Sequence, residues 1–386
     1  MSDGRRTLAV LGSTGSIGVQ ALEVAARAPD RLQVVALAAG RSLDALCAQA
    51  RALRPRALAL EHPPGPNADA ELRAAAPGAE VWTGPGATAR LAAACGADVV
   101  LNGVVGAAGL AASLAALGRG ARLALANKET LVIGGPLVRR ALAAGGELLP
   151  VDSEHSAALQ CLGGRPAEEV ARLVLTASGG ALRDHPDWRR ATRAEVLAHP
   201  VWRMGERITV DSATLFNKGL ELIEAHALFD LPYARLDAVL HPQALVHAIA
   251  TFTDGSSVLQ AAVPDMRLPI QLALSWPARW GEAAAPLPAE RLAGLEFRPI
   301  APGRFPALDL ALAAGRAGGT APCVLNAADE VAVRAFLDGA VPLGAVPDLI
   351  ARALDAEPPQ PVESLAQLEA VDARARAVVR AAVARA

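Results

Sequence analysis

The feature that most constrains the fold is an alternation, over residues 7–150, of short β-rich runs with helix-length stretches rich in alanine and leucine. The β-rich runs are LAVL, LQVVALA, ALAL, VVLN, RLALA and ELLPV. Strands that alternate with helices form parallel sheets with helices on both faces. Residues 1–150 are therefore predicted to form a doubly wound α/β domain.

After residue 150 the pattern changes to mixed α+β. Strand-like runs (VLHP, LVHAIATF, SVLQAAV) and a helical run over 264–276 predict a second domain at 151–275. Residues 276–305 are richer in proline and glycine and lack periodicity, which is typical of a connector. Apolar spacing over 306–386 is helical and predicts a C-terminal helical bundle.

Charge and cysteine content exclude several classes of protein. The 37 Lys and Arg residues against 39 Asp and Glu residues give a net charge of −2, which argues against a nucleic-acid-binding protein. The four cysteines are far apart and include no CxxC pair, so neither a zinc ribbon nor a disulfide framework is expected. The N-terminus shows no signal-peptide pattern. A cytoplasmic location is predicted.

One stretch has the length of a membrane span. No charged residue lies between Asp98 and Arg119. The stretch is rich in Ala and Gly and divides into a strand-like part (99–102) and a helical part (110–117). We therefore interpret it as a buried strand and a packed helix, and expect no membrane association.

A glycine-rich turn follows the first β-rich run. Residues 12–18 read GSTGSIG and precede a helical stretch. Glycines at such a turn let backbone N–H groups approach a pyrophosphate, and the helix N-terminus adds partial positive charge. The spacing G-x-x-G-x-x-G differs from the usual dinucleotide pattern, so a turn without a ligand remains an alternative.

The end of the second strand bears on the choice of cofactor. An NAD enzyme places an acidic residue there for the ribose 2′-hydroxyl, whereas this chain has Gly40, Arg41 and Ser42. An arginine and a hydroxyl can hold a 2′-phosphate, which favours NADPH. The alternative is that Arg41 is merely a solvated residue at a helix start.

Three further segments carry candidate ligand-binding residues. Asn127, Lys128 and Glu129 follow a predicted strand, although NKE alone equally fits a helix start. Asp152 and Glu154 are predicted on one face of an extended segment, where they could share a cation or could only cap a helix and be solvated.

Downstream, Asn217, Lys218 and Glu221 lie on a predicted helix, with Asn217 and Glu221 on one face. Oxygen ligands favour Mg²⁺ or Mn²⁺ over Zn²⁺. His155 is interpreted as a structural or supporting residue.

Two stretches look suited to an anionic substrate. Ser178 begins an SGG turn after the strand-like run RLVLT, and HPVWRMG places His199, Trp202 and Met204 in a predicted loop. Loops of this composition often close over a substrate. A tryptophan anchored in the core is the commoner alternative.

Taken together, these motifs resemble the 1-deoxy-D-xylulose 5-phosphate reductoisomerase family. LGSTGSIG, LANKE, PVDSEH, ASGG, HPVWRMG and VDSATLFNKGLELIEA occur in that family's order, and HPQ, PDMR and LNAADE extend the resemblance to nearly the whole chain. The resemblance implies a homodimeric enzyme with a Rossmann-like NADPH domain, a catalytic domain with a mobile lid, and a C-terminal helical bundle. It further implies conversion of 1-deoxy-D-xylulose 5-phosphate to 2-C-methyl-D-erythritol 4-phosphate in non-mevalonate isoprenoid biosynthesis.

The resemblance also assigns roles to individual residues. It implies NADPH contacts at Thr14, Gly15, Ser16, Ile17, Gly40, Arg41, Ser42, Asn127 and Glu129. It implies Mg²⁺ or Mn²⁺, with Co²⁺ as a further candidate, held by Asp152, Glu154 and Glu221, which with Lys128 form the predicted catalytic set. The predicted substrate contacts are Lys128, Ser153, Glu154, Ser178, His199, Trp202, Met204, Ser212, Asn217, Lys218 and Glu221. Trp202 and Met204 would lie on the lid.

Two other functions remain open at this point. A semialdehyde or homoserine type dehydrogenase shares this kind of glycine turn, but the semialdehyde enzymes need a nucleophilic cysteine, for which Cys161 is the remaining candidate. A non-catalytic NADPH-sensing module would need the turn but not Asp152, Glu154 and Glu221.

Overall fold

The structure, a computed structural model, describes residues 5–202, 204–281 and 283–385. This part of the chain divides into two compact units. The first unit holds the described residues within 1–130, 138–156 and 265–285, and the second holds those within 131–137, 157–264 and 286–385. The predicted division after residues 150, 275 and 305 stays a prediction.

The first unit contains, within the described residues, a parallel sheet of seven strands. The strands are β1 (Arg6–Leu11), β2 (Leu32–Ala39), β3 (Ala57–Leu60), β4 (Glu80–Thr83), β5 (Val99–Asn102), β6 (Arg122–Leu125) and β7 (Glu147–Pro150). Their order is β4-β3-β2-β1-β5-β6-β7, so the direction of strand addition reverses at β1. Ligands of doubly wound sheets bind at the carboxyl ends of the strands beside such a reversal. The predicted α/β fold of this part is confirmed.

Helices connect and cover the strands of both units. They are α1 (Ser16–Arg27), α2 (Leu43–Leu53), α3 (Ala68–Ala75), α4 (Ala87–Ala94), α5 (Ala108–Gly118), α6 (Glu129–Ala143), α7 (Ser153–Leu162), α8 (Arg193–Leu197), α9 (Glu206–Ala213), α10 (Phe216–Phe229), α11 (Arg267–Ser275), α12 (Pro306–Ala317), α13 (Ala321–Leu337), α14 (Ala345–Ala356) and α15 (Leu365–Val383). Short 3-10 turns cover Ala167–Glu169, Trp188–Arg190, Tyr233–Arg235 and Ala289–Leu292. None of the described helices has both the length and the apolar composition required to cross a bilayer.

The uncharged stretch after Asp98 forms β5 and α5, as its composition predicts. All four residues of β5 are buried, because helices cover both faces of a parallel sheet. The helix α11 packs beside α1 in the first unit. There Arg122 donates to the carbonyl of Trp276 at 2.8 Å.

The second unit contains a mixed sheet, which in the described residues has five strands in the order β11-β10-β8-β9-β12. They are β8 (Val170–Ala177), β9 (Leu236–Leu240), β10 (Val246–Phe252), β11 (Ser257–Ala261) and β12 (Arg298–Pro299). β8 runs parallel to β9 and antiparallel to β10. Its buried side chains, including Leu173 and Leu175, share a core with Leu222 of α10.

The C-terminal part of the second unit is helical. α13 packs against α12, α14 and α15, and it also packs against α9. α12 begins at Pro306, whose fixed φ suits the first turn of a helix and whose missing N–H would have no helical partner there. The predicted combination of α/β, α+β and helical-bundle structure is confirmed.

Candidate active site

The glycine-rich turn joins β1 to α1 in a shape that only glycine permits at two positions. Gly12 has φ +76°, and a Cβ there would lie 2.7 Å from the carbonyl oxygen of Gly103. A Cβ at Gly18 would lie 2.2 Å from the Gly12 oxygen. The N-terminal residue of α1, Ser16, follows Gly15, which provides no side-chain cap to the helix. This arrangement fits a dinucleotide phosphate, because the first N–H groups of a helix bind anions.

A residue that the sequence analysis did not single out fixes this turn. Gln49 of α2 donates from Nε2 to the Ser13 carbonyl at 2.9 Å, and its Oε1 accepts from the Ser13 hydroxyl at 2.7 Å. Ser13 is fully buried. The sequence carries a signal for this role, because Gln49 is a polar residue that lies three residues after Leu46 on the apolar face of an amphipathic helix.

The predicted cofactor residues after β2 lie at the expected strand end. β2 ends at Ala39, whose neighbour Ala38 accepts backbone hydrogen bonds from Gly12 and Ser13 at 2.9 and 2.8 Å. Gly40, Arg41 and Ser42 are exposed beside this turn. The Arg41 guanidinium is therefore accessible to a phosphate at the edge where the dinucleotide turn lies. Contact with NADPH at these three residues stays a prediction.

Asn127 and Glu129 belong to a buried hydrogen-bond network around the loop that follows β5. Asn127 is 2% exposed, and its Nδ2 donates to the carbonyls of Val104 and Gly106 at 2.8 and 2.9 Å. Glu129 accepts from the Gly106 N–H at 3.2 Å. Both side chains thus shape this loop. Their direct contact with NADPH stays a prediction.

The segment at Asp152 is not extended, which corrects the sequence-based interpretation. α7 begins at Ser153, and Asp152 Oδ1 accepts from the N–H groups of Glu154 and His155 at 3.1 and 3.4 Å. Asp152 therefore caps the helix, and Glu154 lies in its first turn. The helix forms because the carboxylate satisfies N–H groups that otherwise lack intrahelical partners.

Asp152 is also surrounded by ionisable side chains. Lys128 Nζ lies 3.2 Å from Asp152 Oδ2, and the buried ring of His155 lies 2.8 Å from Oδ1 through Nδ1. His155 thus orients Asp152, in agreement with its predicted supporting position. Ser153 donates to Glu154 at 2.6 Å. Asp152 and Glu154 bring two carboxylates to the start of α7, which suits an oxygen-ligated divalent cation.

In the second unit, α10 carries the other predicted acidic ligand. Asn217 and Lys218 both donate to the carboxylate of Glu221, one to each oxygen. Lys218 and Glu221 are 4% and 2% exposed. The predicted helix and the shared face of Asn217 and Glu221 are present. A buried carboxylate held by a neutral amide and an ammonium is positioned in advance and can act as a ligand through its remaining lone pairs.

Three predicted substrate residues meet in the second unit. His199 Nε2 lies 3.2 Å from Ser178 Oγ and 3.1 Å from Ser212 Oγ. His199 Nδ1 accepts the backbone N–H groups of Val201 and Trp202 at 3.2 and 2.9 Å. Burial lowers the pKa of His199 below its usual value. The lowered pKa favours the neutral ring, and because Nδ1 accepts two backbone N–H groups, the proton of the neutral ring lies on Nε2.

This tautomer determines what the cluster offers to a ligand. The single Nε2 proton is shared by two hydroxyl oxygens, so the hydroxyl protons of Ser178 and Ser212 are directed elsewhere and can bind an anionic oxygen. The turn after Ser178 is tight. Gly180 has φ +59°, and a Cβ there would lie 2.8 Å from the carbonyl oxygen of Ser212.

The predicted lid segment lies between α8 and α9. Trp202 and Met204 are both half-buried and lie outside helices and strands. The Trp202 backbone contacts His199, so the segment is connected to the Ser178–His199–Ser212 cluster. Whether Trp202 covers a substrate stays a prediction.

The cysteines do not support a thiol nucleophile. Cys161 is buried in the core of the second unit, and burial raises the pKa of its thiol to about 11. A thiol with this pKa is almost fully protonated at pH 7 and is a poor nucleophile. The semialdehyde dehydrogenase alternative therefore lacks its essential residue.

Comparison with known proteins identifies the family. Three profiles match: 1-deoxy-D-xylulose 5-phosphate reductoisomerase over 8–135, and C-terminal domains of the same enzyme over 148–229 and 261–378. Curated 1-deoxy-D-xylulose 5-phosphate reductoisomerases from Beutenbergia cavernae and Thermomicrobium roseum are 52% and 49% identical, over 98% and 99% of both chains.

Solved structures agree along the full length. A 1-deoxy-D-xylulose 5-phosphate reductoisomerase from Zymomonas mobilis in complex with NADPH has a TM-score of 0.91 and 38% identity, covering 98% of this chain and 99% of its own. A DOX-P reductoisomerase in complex with NADPH, fosmidomycin and magnesium has a TM-score of 0.88 and 35% identity, covering 98% of each chain. This chain belongs to the 1-deoxy-D-xylulose 5-phosphate reductoisomerase family.

Proposed function

We propose that this protein is an NADP-dependent reductoisomerase, which converts 1-deoxy-D-xylulose 5-phosphate to 2-C-methyl-D-erythritol 4-phosphate in isoprenoid biosynthesis. The observation that carries the proposal is the family match along the whole chain at about half identity. The site supports it, because an accessible arginine, acidic ligands and a neutral anion-binding cluster occur in one chain. An NADPH-sensing module would need only the first of these.

The reaction breaks one carbon–carbon bond at the carbon next to the ketone and forms a new one to the ketone carbon, so that the ketone becomes a tertiary alcohol and the neighbouring hydroxyl-bearing carbon becomes an aldehyde. The aldehyde that results accepts a hydride from NADPH on carbon and a proton on oxygen. We propose that Asp152, Glu154 and Glu221 bind the divalent cation, Mg²⁺ or Mn²⁺. When bound, such a cation acts as a Lewis acid on the substrate's carbonyl and hydroxyl oxygens.

The residues of the chain supply binding, orientation and charge. The hydroxyls of Ser178 and Ser212 donate to the substrate phosphate or neighbouring hydroxyls, and Asn217 and Lys218 add an amide and a positive charge. Lys128, next to Asp152, places a second ammonium where negative charge develops during the rearrangement. Trp202 and Met204 exclude water when the lid closes.

We further propose a homodimer that forms along the edge strand β11. β11 ends the sheet of the second unit, and Val258 and Leu259 are 44% and 47% exposed there. An exposed apolar edge strand is a surface for pairing with another chain. A cytoplasmic location is also proposed, since the thiols of all four cysteines are free and buried, as in proteins of reducing compartments.

The test is an assay of NADPH oxidation with either 1-deoxy-D-xylulose 5-phosphate or aspartate semialdehyde, with and without Mn²⁺. The proposal expects oxidation only when the first substrate and the metal are both present. Cys161→Ala is the control and should retain activity. Oxidation with the semialdehyde, or none with 1-deoxy-D-xylulose 5-phosphate, would refute the proposed function.

A further inference from the structure

Arg207 connects the helix that carries Ser212 to the C-terminal bundle. It lies in the first turn of α9, and its guanidinium reaches three residues of α13. Nη1 donates to Glu330 Oε1 at 3.0 Å, and Nη2 donates to Asn326 Oδ1 at 3.1 Å and Asp329 Oδ2 at 3.4 Å. A basic residue at a helix N-terminus is unfavourable toward the helix dipole, so its position indicates a specific partner elsewhere.

The contact extends to a third helix. Glu330 accepts from Arg207 on Oε1 and, on Oε2, from Arg376 of α15 at 2.7 Å. Arg376 also pairs with Asp372 at 2.6 Å. Within α9 itself, Arg207 Nε lies 3.6 Å from Asp211 Oδ2. One network therefore joins α9, α13 and α15.

This network is partly buried, with the side chains of Arg207 and Glu330 23% and 18% exposed, and its burial determines what it can contribute. Asp211 and Asp329 are 3% and 1% exposed. A buried ion cluster adds little net stability, because desolvation opposes the Coulomb attraction. The planar guanidinium, however, has donors in fixed directions, so its contacts with α13 fix both the distance and the rotation of α9. The network thus specifies the position of α9.

The opposite end of α9 lies in the candidate substrate site. Ser212, five residues after Arg207, contacts His199 Nε2 at 3.1 Å. The turn at Gly180 packs directly on the backbone of Ser212 and Ala213. A displacement of α9 by about 1 Å would lengthen the Ser212–His199 contact beyond hydrogen-bonding distance and misplace the hydroxyl, an error that can cost about 100-fold in rate.

We propose that Arg207 is a positioning residue for the substrate site, which acts through Ser212 by holding α9 against Asn326 and Glu330 of the C-terminal bundle. The proposal rests on the proposed function, which assigns Ser212 to the substrate. None of the predicted substrate contacts belongs to the C-terminal bundle, so the proposal gives the bundle an indirect role in substrate affinity.

The test is a double-mutant cycle with Arg207→Met and Ser212→Ala, with KM for 1-deoxy-D-xylulose 5-phosphate, KM for NADPH and kcat measured for each variant. Arg207→Met should raise the substrate KM about 10-fold and leave the NADPH KM unchanged. In the Ser212→Ala background, Arg207→Met should change the substrate KM by no more than about twofold, because the effects of residues that act through one another are not additive. Full additivity would overturn the proposal.

Two controls separate positioning from general stability. Arg334→Met removes an exposed arginine of α13, which pairs with Asp338 just after that helix. This substitution should leave every kinetic constant unchanged. Arg207→Lys keeps the charge without the planar fork and should give an intermediate substrate KM. It carries the test if Arg207→Met does not fold.

The outcomes also distinguish this inference from the proposed function. A lower melting temperature with an unchanged substrate KM in both Arg207 variants would mean that Arg207 is only structural. An unchanged substrate KM in Ser212→Ala would overturn the positioning role but leave the activity standing. Wild-type protein without turnover of 1-deoxy-D-xylulose 5-phosphate would refute the proposed function itself.

Discussion

His199 accepts the backbone N–H of Trp202 on Nδ1 at 2.9 Å, while its Nε2 lies 3.1 Å from the hydroxyl of Ser212. One imidazole therefore contacts both the segment that carries Trp202 and a candidate substrate residue. A movement of the segment that changes the ring orientation also changes the direction of the Nε2 proton. The position of this segment and the alignment of the Ser178–His199–Ser212 cluster are thus linked through a single side chain.

Trp202→Ala tests the role of the lid. The side chain is half-buried, so its removal should lower the free energy of unfolding by less than about 1 kcal/mol, whereas kcat/KM should fall about 100-fold because water is no longer excluded. Urea unfolding and steady-state kinetics measure the two effects. A loss of about 3 to 5 kcal/mol in stability would instead identify a core tryptophan.

Arg41→Asp tests the preference for NADPH. The wild-type protein should use NADPH far better than NADH, because the exposed guanidinium can bind a 2′-phosphate. Arg41→Asp removes a charge-assisted hydrogen bond worth about 1.5 to 3 kcal/mol. It should therefore reduce the ratio of kcat/KM for NADPH to kcat/KM for NADH about 10- to 100-fold. Arg54→Asp, an exposed arginine just after α2, is the matched control. Equal use of both cofactors by the wild type would contradict this interpretation.

Gln49→Leu tests whether the glycine-rich turn depends on α2. The substitution leaves the buried Ser13 hydroxyl without its partner, at a cost of about 1 to 3 kcal/mol, and frees the turn to change shape. We expect the KM for NADPH to rise about 10-fold and the KM for the sugar phosphate to stay constant. A lower apparent kcat with both KM values unchanged would show a general loss of folded protein and not a local change of the turn.

Asp329→Asn gives a pH-dependent effect on stability. Burial and the neighbouring carboxylate of Asp211 raise the pKa of Asp329 well above its usual value. Between the unfolded and folded pKa values the folded state holds a proton that the unfolded state has lost, so this residue makes stability fall as pH rises. Asparagine mimics the protonated acid and removes that dependence.

The measurement is urea unfolding of wild type and Asp329→Asn at pH 5 and pH 8. The stability of the variant relative to wild type should be higher at pH 8 than at pH 5. Asp338→Asn, which removes an exposed carboxylate just after α13, is the matched control. A relative stability of Asp329→Asn that is the same at both pH values would contradict a raised pKa.

The sequence predicted the elements whose signals are local. Strands such as β1 and β5 are short apolar runs buried on both faces, and the glycine turn requires residues without a side chain, so both are visible in composition. β4 was not predicted, because it is a half-exposed edge strand with only four residues, EVWT, and no clear alternation. Local pattern is weak where burial is partial.

The sequence does not determine the geometry around the candidate site residues. Asp152 was expected in an extended segment, but its carboxylate caps the helix α7. A segment this short is compatible both with a strand and with the capped start of a helix, so its sequence does not decide between them. The partners of Arg207 lie about 120 residues further along the chain, in α13, and only tertiary packing brings them together. No local pattern encodes that distance.

The central claim is that Asp152, Glu154 and Glu221 bind one divalent cation, and a Mn²⁺ titration of Glu221→Gln tests it most directly. The amide keeps the size of the side chain but removes one negative charge from an oxygen-rich site, so Mn²⁺ affinity and turnover should fall together, as in Asp152→Asn and Glu154→Gln. NADPH binding, measured separately by fluorescence, should persist in all three variants. Normal Mn²⁺ affinity and normal turnover in Glu221→Gln would remove that residue from the metal site and contradict the account.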